Sequence, residues 1–315
     1  ILGMAYEIGA IYDKKVKDVD LTHNEQGEDI NKKFKTEVKT ENCSMLLVKK
    51  VENVEIKESP LFIKNRLIAS GIRPINNVVD ISNYVMLELG QPLHFYDADR
   101  LGNKLVVRMA EEGEKLTTLD NIERTLSADD IVIADSTHGV GLAGVMGGLE
   151  TEVEPDTKNI IIESAIFDSV KVRLTSKKII RSEASNRFEK GLDPNRTYMA
   201  IERACTLLEK YAGGKVVTGT VVYDKTDKES IITFLFNIDI IIVYKNAIGK
   251  PIHVIFILIL CISQPMLFKL TFLFCLKTSR NIFKHSNEVL NHTAFCFVSI
   301  DKYCGDCMIS NTFIG

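Results

Sequence analysis

The chain has 315 residues, with 39 Lys+Arg against 42 Asp+Glu, seven Cys, no Trp and a mean hydropathy of +0.05. That length allows one large domain or two ordinary ones with a buried core, and a formal net charge of −3 excludes a protein that coats nucleic acid with its whole surface, leaving RNA contact to a local groove. The averages cover two unlike parts: residues 231–315 hold 11 charged and 49 apolar residues of 85, with ten of the fifteen Phe and five of the seven Cys, so one composition does not describe both.

Residues 1–4 lack a basic stretch and Glu7 interrupts the apolar run, so no signal peptide is expected, and a start at Ile1 rather than Met suggests a fragment. Leu2, Ala5, Ile8 and Tyr12 at helical spacing predict the end of a helix over 1–12, and the charged stretch 13–42 reads as loop. A strand is expected over 43–54. Ser59-Pro60 then predicts a helix, with Ser as N-cap and Pro at the first position, that ends at Gly71. A second helix over 78–88 is stopped by Gly90-Gln91-Pro92.

Beyond it the pattern changes to short β-branched or alternating runs bounded by Gly, Asn and Asp: 104–110, 115–120, 131–135, 139–146 and 159–165. Helices return over 168–180 and over 194–212, the latter opened by Asp193-Pro194 and closed by Gly213-Gly214. A last strand covers 215–224. Short strands between helices define an α+β fold, with mixed and antiparallel sheets and flanking helices, organised as a leading region with a charged linker (1–42), a central domain (43–224) and an apolar, Cys-rich tail (225–315). Only Cys43 and Cys205 precede residue 231, which argues against a disulfide framework and for a reducing, cytoplasmic compartment.

Arg73, Asn83, His94, Glu163 and the glycines of GVMGG (144–148) sit at expected element ends or turns, where loops carry chemistry on a rigid scaffold. Singly they are ambiguous. His94, after Gln-Pro-Leu, reads as a loop residue with a local hydrogen bond. Glu163 follows three Ile and is either solvent-facing or a buried carboxylate that needs a partner. The double glycine is a tight turn or a place of close ligand approach; it lacks the Gly-Lys-Ser/Thr ending of a phosphate loop. RSEASNRFEKG (181–191) is either a solvated loop with weak ion pairs or a strap of hydroxyls and guanidinium groups that closes a pocket or grips phosphate.

Four motifs taken together, RPINNVVDISNYVMLELGQPLHFYDADRL (73–101), GVGLAGVMGG (139–148), IIIESAIFD (160–168) and RSEASNRFEKGLDP (181–194), resemble in order the B3/B4 domain of the β subunit of bacterial phenylalanyl-tRNA synthetase. The resemblance covers about 43–224, and ILGMAYEIGAIY (1–12) resembles the helix that closes the preceding region of that subunit. It implies an α+β domain that hydrolyses tyrosine mischarged onto tRNA(Phe). An apolar pocket rejects an added hydroxyl only by about a hundredfold, so a second sieve helps; a hydrogen-bond acceptor for the phenol would leave bound phenylalanine facing an unpaired polar group, at about 1–3 kcal/mol.

By resemblance Glu163 is that acceptor. Gly144, Gly147 and Ala184 shape the amino-acid pocket, while Arg73, Asn83 and His94 stand around the terminal adenosine, the ester and the attacking water, with His94 orienting or deprotonating that water. Ser82 stands where the family has Thr and keeps the hydroxyl. The span between Glu163 and Ala184 is one residue shorter than the family pattern, which would shift the strap over the pocket. No cofactor or metal is implied for this site; ATP and magnesium are implied only for the whole synthetase, with the aminoacylated tRNA(Phe) 3′ end and the α subunit of a heterotetramer as partners and no membrane. The alternative is a non-catalytic RNA-binding or scaffold module.

The family pattern stops near Asp224. For the tail, a non-native extension is favoured over a membrane-associated hairpin and a divergent domain, because periodicity, caps and Gly/Pro punctuation vanish together. Its longest apolar run, 254–262, is too short for the roughly 20 residues of a membrane span. Cys304 and Cys307 with His285 and His292 lack zinc-finger order and spacing.

Overall fold

Over residues 1–226 the computed structural model forms, in chain order, α1 (Leu2–Ile11), β1 (Glu25–Gln26), β2 (Lys35–Val38), β3 (Cys43–Glu52), α2 (Leu61–Ala69), α3 (Asn77–Leu89), β4 (Leu93–Asp97), α4 (Ala98–Leu101), β5 (Lys104–Met109), β6 (Lys115–Thr117), β7 (Glu123–Thr125), β8 (Ile131–Ala134), β9 (Gly139–Leu142), β10 (Met146–Gly147), β11 (Ile160–Phe167), α5 (Ser169–Lys178), α6 (Ser185–Phe188), α7 (Pro194–Ala212), β12 (Lys215–Val217) and β13 (Val221–Asp224). Beyond Thr226 the structure describes the backbone of five short strands: β14 (Ile231–Phe236), β15 (Ile240–Lys245) and β16 (His253–Ile257), in one sheet, and the antiparallel pair β17 (Cys296–Phe297) and β18 (Thr312–Phe313). The chain divides into two compact units, Ile1–Ile231 with Tyr244–His253, and Ile232–Val243 with Val254–Gly315. The non-native reading of the tail and the Cys304, Cys307, His285 and His292 grouping fall outside the described residues.

β3 and β11 set the layering. Both are buried along most of their length, and they pair antiparallel with Glu163 opposite Val48. Side chains alternate across a strand: Met45, Leu47, Val51, Ile160 and Ile162 face a core shared with α2, α3 and α7, whereas Leu46, Val48, Ile161 and Ala165 face a second core shared with β5, β8 and β9. The result is three layers: helices, a six-stranded sheet in the order β1-β12-β3-β11-β4 with β13 also on β3, and a five-stranded sheet in the order β10-β9-β8-β5-β2. The α+β expectation is borne out.

The helix boundaries have different causes. α7 starts at Pro194, with the Asp193 carboxylate accepting from Asn195 N (2.9 Å), and ends at Gly213 in the left-handed conformation. α3 starts one residue before its expected range, because the Asn76 side chain accepts from Val78 N and Val79 N at 3.1 and 2.9 Å. The expected Ser59 cap is not made. The Ser59 hydroxyl instead donates to the buried Asp80 carboxylate (2.5 Å), Pro60 takes the cap position, and α2 begins at Leu61.

Several strand expectations are corrected. The stretch 13–42, read as loop, supplies β1 alongside β12 and β2 alongside β5, both parallel; its charges hide this because both strands lie at sheet edges. GVGLAGVM is not one strand but the hairpin β9–β10, with Met146 opposite Leu142. The run 215–224 is split into β12 and β13, which follow one another along one edge of β3: Val216 pairs with Val51 and Val221 with Val48. β4, read as loop around His94, is an edge strand antiparallel to β11.

One buried charge ties the early segment to this framework. Lys49, 1% exposed, hydrogen-bonds Glu25 of β1 and lies 3.3 Å from Glu202 of α7 and 3.3 Å from His23 Nε2. Burial acts to lower its pKa, but the Glu25 hydrogen bond and the surrounding carboxylates win, and the net shift is upward. Removing one partner of a buried ion pair leaves the other uncompensated. Lys49→Ala is therefore expected to lower the urea unfolding free energy by roughly 2–4 kcal/mol, and a change below about 0.5 kcal/mol would mean that these carboxylates are solvated as well without it.

Candidate functional site

Register builds the site. Across the β4–β11 pair, Glu163 lies directly opposite His94 and Ile161 opposite Tyr96. Alternation therefore puts Glu163, His94 and Tyr96 on the face turned to the second sheet, while Phe95 and Ile162 pack toward the helices. The start of β4 is held by Gln91, which is fully buried: its amide donates to Ala165 O (3.0 Å) and accepts from the Thr197 hydroxyl of α7 (3.0 Å).

The facing wall is the tip of the β9–β10 hairpin, from Gly141 to Gly147, and the strap adds Ala184 and Phe188; with Pro92, Leu93 and Ile133 they line a partly open cavity of about 80 Å³ around His94, Tyr96 and Glu163. Two glycines make this packing fit. A Cβ on Gly147 would fall 2.6 Å from His94 Nε2, so the imidazole lies against bare backbone. Gly144 has φ +69°, and a Cβ there would meet Phe188 and Val172 at 3.0 and 3.1 Å. The strap is anchored to the same turn: the Ser182 hydroxyl donates to Val145 O at 2.8 Å and accepts from Ser185 N at 3.0 Å. Ala184 thus lines the same cavity as Glu163.

The structure brings together Glu163, His94, Gly144, Gly147 and Ala184. Ser82, Asn83 and Arg73 do not line the cavity. Ser82 and Asn83 are half-buried on α3, where the Ser82 hydroxyl donates to Val79 O (2.8 Å), and Arg73 is exposed ahead of that helix without an ion pair among the described residues. Tyr96 was not singled out in the sequence, although HFY already places it two residues from His94 on one strand face. Its phenol, 1% exposed, donates to Glu163 Oε2, and its ring meets the His94 ring edge-on at 4.3 Å and 77°.

Burial dominates the electrostatics. It pushes the Glu163 carboxyl up to about 7, against the pull of the Tyr96 hydrogen bond, and pushes the His94 imidazole down to about 4. Between about pH 4 and 7 the site is then a neutral acid facing a neutral base rather than an ion pair. Elsewhere, His23, Glu25 and Glu202 converge in the manner of metal ligands, but the Lys49 ammonium stands among them and already supplies the positive charge. Among the described residues no helix is long and apolar enough to cross a membrane.

An α+β domain whose two sheets clasp a buried carboxyl and phenol and a half-buried imidazole behind a glycine-rich hairpin defines the class. The family model of the B3/4 domain matches residues 42–213, and the chain belongs to that family. The chain is 49% identical over 228 residues to the phenylalanine–tRNA ligase beta subunit of Bacillus cereus, covering 71% of this chain and 28% of that protein. The corresponding subunit of Staphylococcus aureus is 46% identical over 243 residues, 76% and 30% of the two lengths. A solved N-terminal fragment of the phenylalanyl-tRNA synthetase beta subunit from Pyrococcus horikoshii aligns at a TM-score of 0.42 and 14% identity, over 67% of this chain and 59% of that one. The chain aligns with a portion of these phenylalanine–tRNA ligase beta subunits and spans under a third of the length of these curated relatives.

The opposed shifts have a pH signature. In the unfolded chain between pH 4.5 and 6.5 the carboxyl is ionised and the imidazole protonated; in the folded chain both are neutral. Folding moves one proton from imidazole to carboxyl, so the pair adds no slope to stability in that window. The Glu163 cost grows as pH rises from 4.5 to 7, and the His94 cost grows as pH falls from 6.5 to 4. Glu163→Gln removes the first alone. Urea midpoints are then expected to show a variant that loses about 2–3 kcal/mol between pH 6.5 and 4 relative to the parent chain; parallel pH profiles would rule out a neutral His94.

Proposed function

We propose that the cavity is a hydrolytic proofreading site that removes tyrosine from mischarged tRNA(Phe). The observation that carries this reading is the placement of Glu163 and His94 opposite one another on an apolar, glycine-walled face. In this scheme water adds to the carbonyl carbon of the aminoacyl ester, His94 takes the proton that the water loses, and the ester C–O bond breaks with that proton returned to the ribose oxygen. A neutral imidazole can accept a proton, which is the form burial favours here. Aminoacyl esters are already activated, so positioning suffices without a nucleophilic side chain.

Glu163 would accept the tyrosine phenol. A phenylalanine ring in its place leaves the buried carboxyl group short of a donor, at about 1–3 kcal/mol. Arg73, Ser82 and Asn83, outside the cavity wall, are assigned to the nucleotide end and the ester. α5 and the strap support contact with RNA: residues 169–190 hold seven basic side chains against two acidic ones, a net +5 in a chain of net −3. Lys171 and Lys178 pair with Asp129 and Asp130, while Arg173 and Lys177 are exposed on one face of α5, four residues apart, without ion pairs among the described residues.

Aminoacylation with ATP and magnesium, assembly with an α subunit and a cytoplasmic setting belong, in this proposal, to the whole enzyme. The GVMGG turn lacks a phosphate-loop ending, and no step here runs through ATP or a metal. The cavity size favours a second reading, a scaffold or RNA-contact module without turnover, because 80 Å³ is well below the roughly 300 Å³ at which ligand pockets begin.

Hydrolysis of tyrosyl- and phenylalanyl-tRNA(Phe) by the 315-residue chain separates the two. Glu163→Ala is expected to reduce the tyrosine-over-phenylalanine rate ratio on the order of tenfold; an unchanged ratio would remove Glu163 from discrimination, and no hydrolysis by the parent chain favours the scaffold. Arg173→Glu with Lys177→Glu is expected to weaken tRNA binding and flatten its dependence on salt. Binding and salt slope both unchanged would exclude α5 from the RNA path.

A further inference from the structure

We propose that Tyr96 is the positioning residue of this site, its phenol holding one oxygen of the Glu163 carboxyl group in the sheet so that the other is presented to whatever enters the cavity. The proposal rests on the proofreading reading for the identity of that ligand. Its geometry is independent of it.

Glu163 has two carboxyl oxygens and accepts one hydrogen bond, from the Tyr96 hydroxyl to Oε2. Oε1 has no partner among the described residues and is not among the buried unsatisfied atoms. A carboxyl group held at a single oxygen keeps its plane fixed while leaving the second free to accept. Tyr96 is itself held on three sides: by its backbone in β4, by the His94 ring against its edge, and by Gly141, whose Cβ position lies 3.8 Å from the phenol oxygen. The phenol therefore belongs to the wall and is no mobile occupant. Through the shared ring contact it also ties the acceptor to the imidazole.

The titratable groups facing Glu163 are few. β4 supplies Tyr96 and His94. β3 brings the Cys43 thiol within electrostatic reach; burial first, and the Glu163 charge second, push that thiol up to about 12, so it stays neutral. The hairpin tip and the strap line the cavity with Gly, Ala, Leu, Val, Met and Phe only. Tyr96 is thus the one side-chain donor to Glu163 among the described residues, and the one interaction that pulls its pKa down against burial. An ionised acceptor makes a hydrogen bond about twice as strong as a neutral one. Without the Tyr96 hydroxyl the carboxyl stays protonated to higher pH, and the preference for a phenol over a bare ring develops only there.

The test uses the 315-residue chain, its Tyr96→Phe variant, which keeps the ring, and Glu163→Gln as the reference without the titration. The tyrosyl-over-phenylalanyl hydrolysis ratio is measured on charged tRNA from about pH 5.5 to 9, spanning the Glu163 midpoint of about 7, and the Glu163 carboxyl is followed by ¹³C NMR without substrate. In the parent chain the ratio is expected to rise through a midpoint near 7. Tyr96→Phe should displace both the ratio and the NMR midpoint upward by about one pH unit and regain the parental ratio at the alkaline end. An unmoved NMR midpoint, or a ratio lost at every pH, overturns the proposal. An NMR midpoint that moves while the parent chain hydrolyses neither ester overturns the proofreading reading and supports the hold of Tyr96 on Glu163.

Discussion

Everything near the cavity depends on β11 being buried on both faces and paired on both edges. A strand in that position cannot slip by one residue without turning its helix-facing side chains toward the second sheet. Ile160 and Ile162 on one face and Ile161 and Ala165 on the other fix the register. Glu163 is carried into the interior by its neighbours. Its cost is tolerated because two strands of backbone hydrogen bonds and two cores hold the segment, and because the cross-strand partner in register is an uncharged imidazole.

Buried polar groups are handled in two different ways in this chain. At Lys49 the charge is kept and surrounded: carboxylates from β1 and α7 close on one ammonium. At Glu163 and His94 the charges are removed, each group shifting toward its neutral form for want of a counter-ion. The first arrangement fastens chain segments far apart in sequence. The second leaves an acid and a base without strong mutual attraction, so both keep hydrogen-bonding capacity to offer. That contrast separates a cluster that ties chain segments together from one that keeps hydrogen-bonding capacity free.

The sequence carried the helices and the central strands openly. Asp193-Pro194 and Gly213 bracket α7 because capping and left-handed termination are local matters, written in adjacent residues. β1 and β2 were illegible since edge strands are stabilised by what they pair with, Val216 and Val217 or Lys104 to Val107, and not by their own composition. β4 was hidden by the polar His94 and Asp97 of LHFYD. The Ser59 cap failed because a buried carboxylate, Asp80, competed for the same hydroxyl. At the site, the family motifs identified Glu163, His94 and the glycines, whereas Tyr96 needed the cross-strand register and Lys49 needed the tertiary fold; no spacing in the chain links it to residues 25 and 202.

The Ser182–Val145 hydrogen bond joins the strap to the hairpin tip across the rim of the cavity. Two walls that come from different parts of the chain are thereby latched, and neither swings out alone without breaking the latch. Because the strap and the hairpin tip share that bond, the placement of Ala184 and Phe188 is tied to that of Gly144 and Gly147, and the two sides of the cavity are held at one spacing.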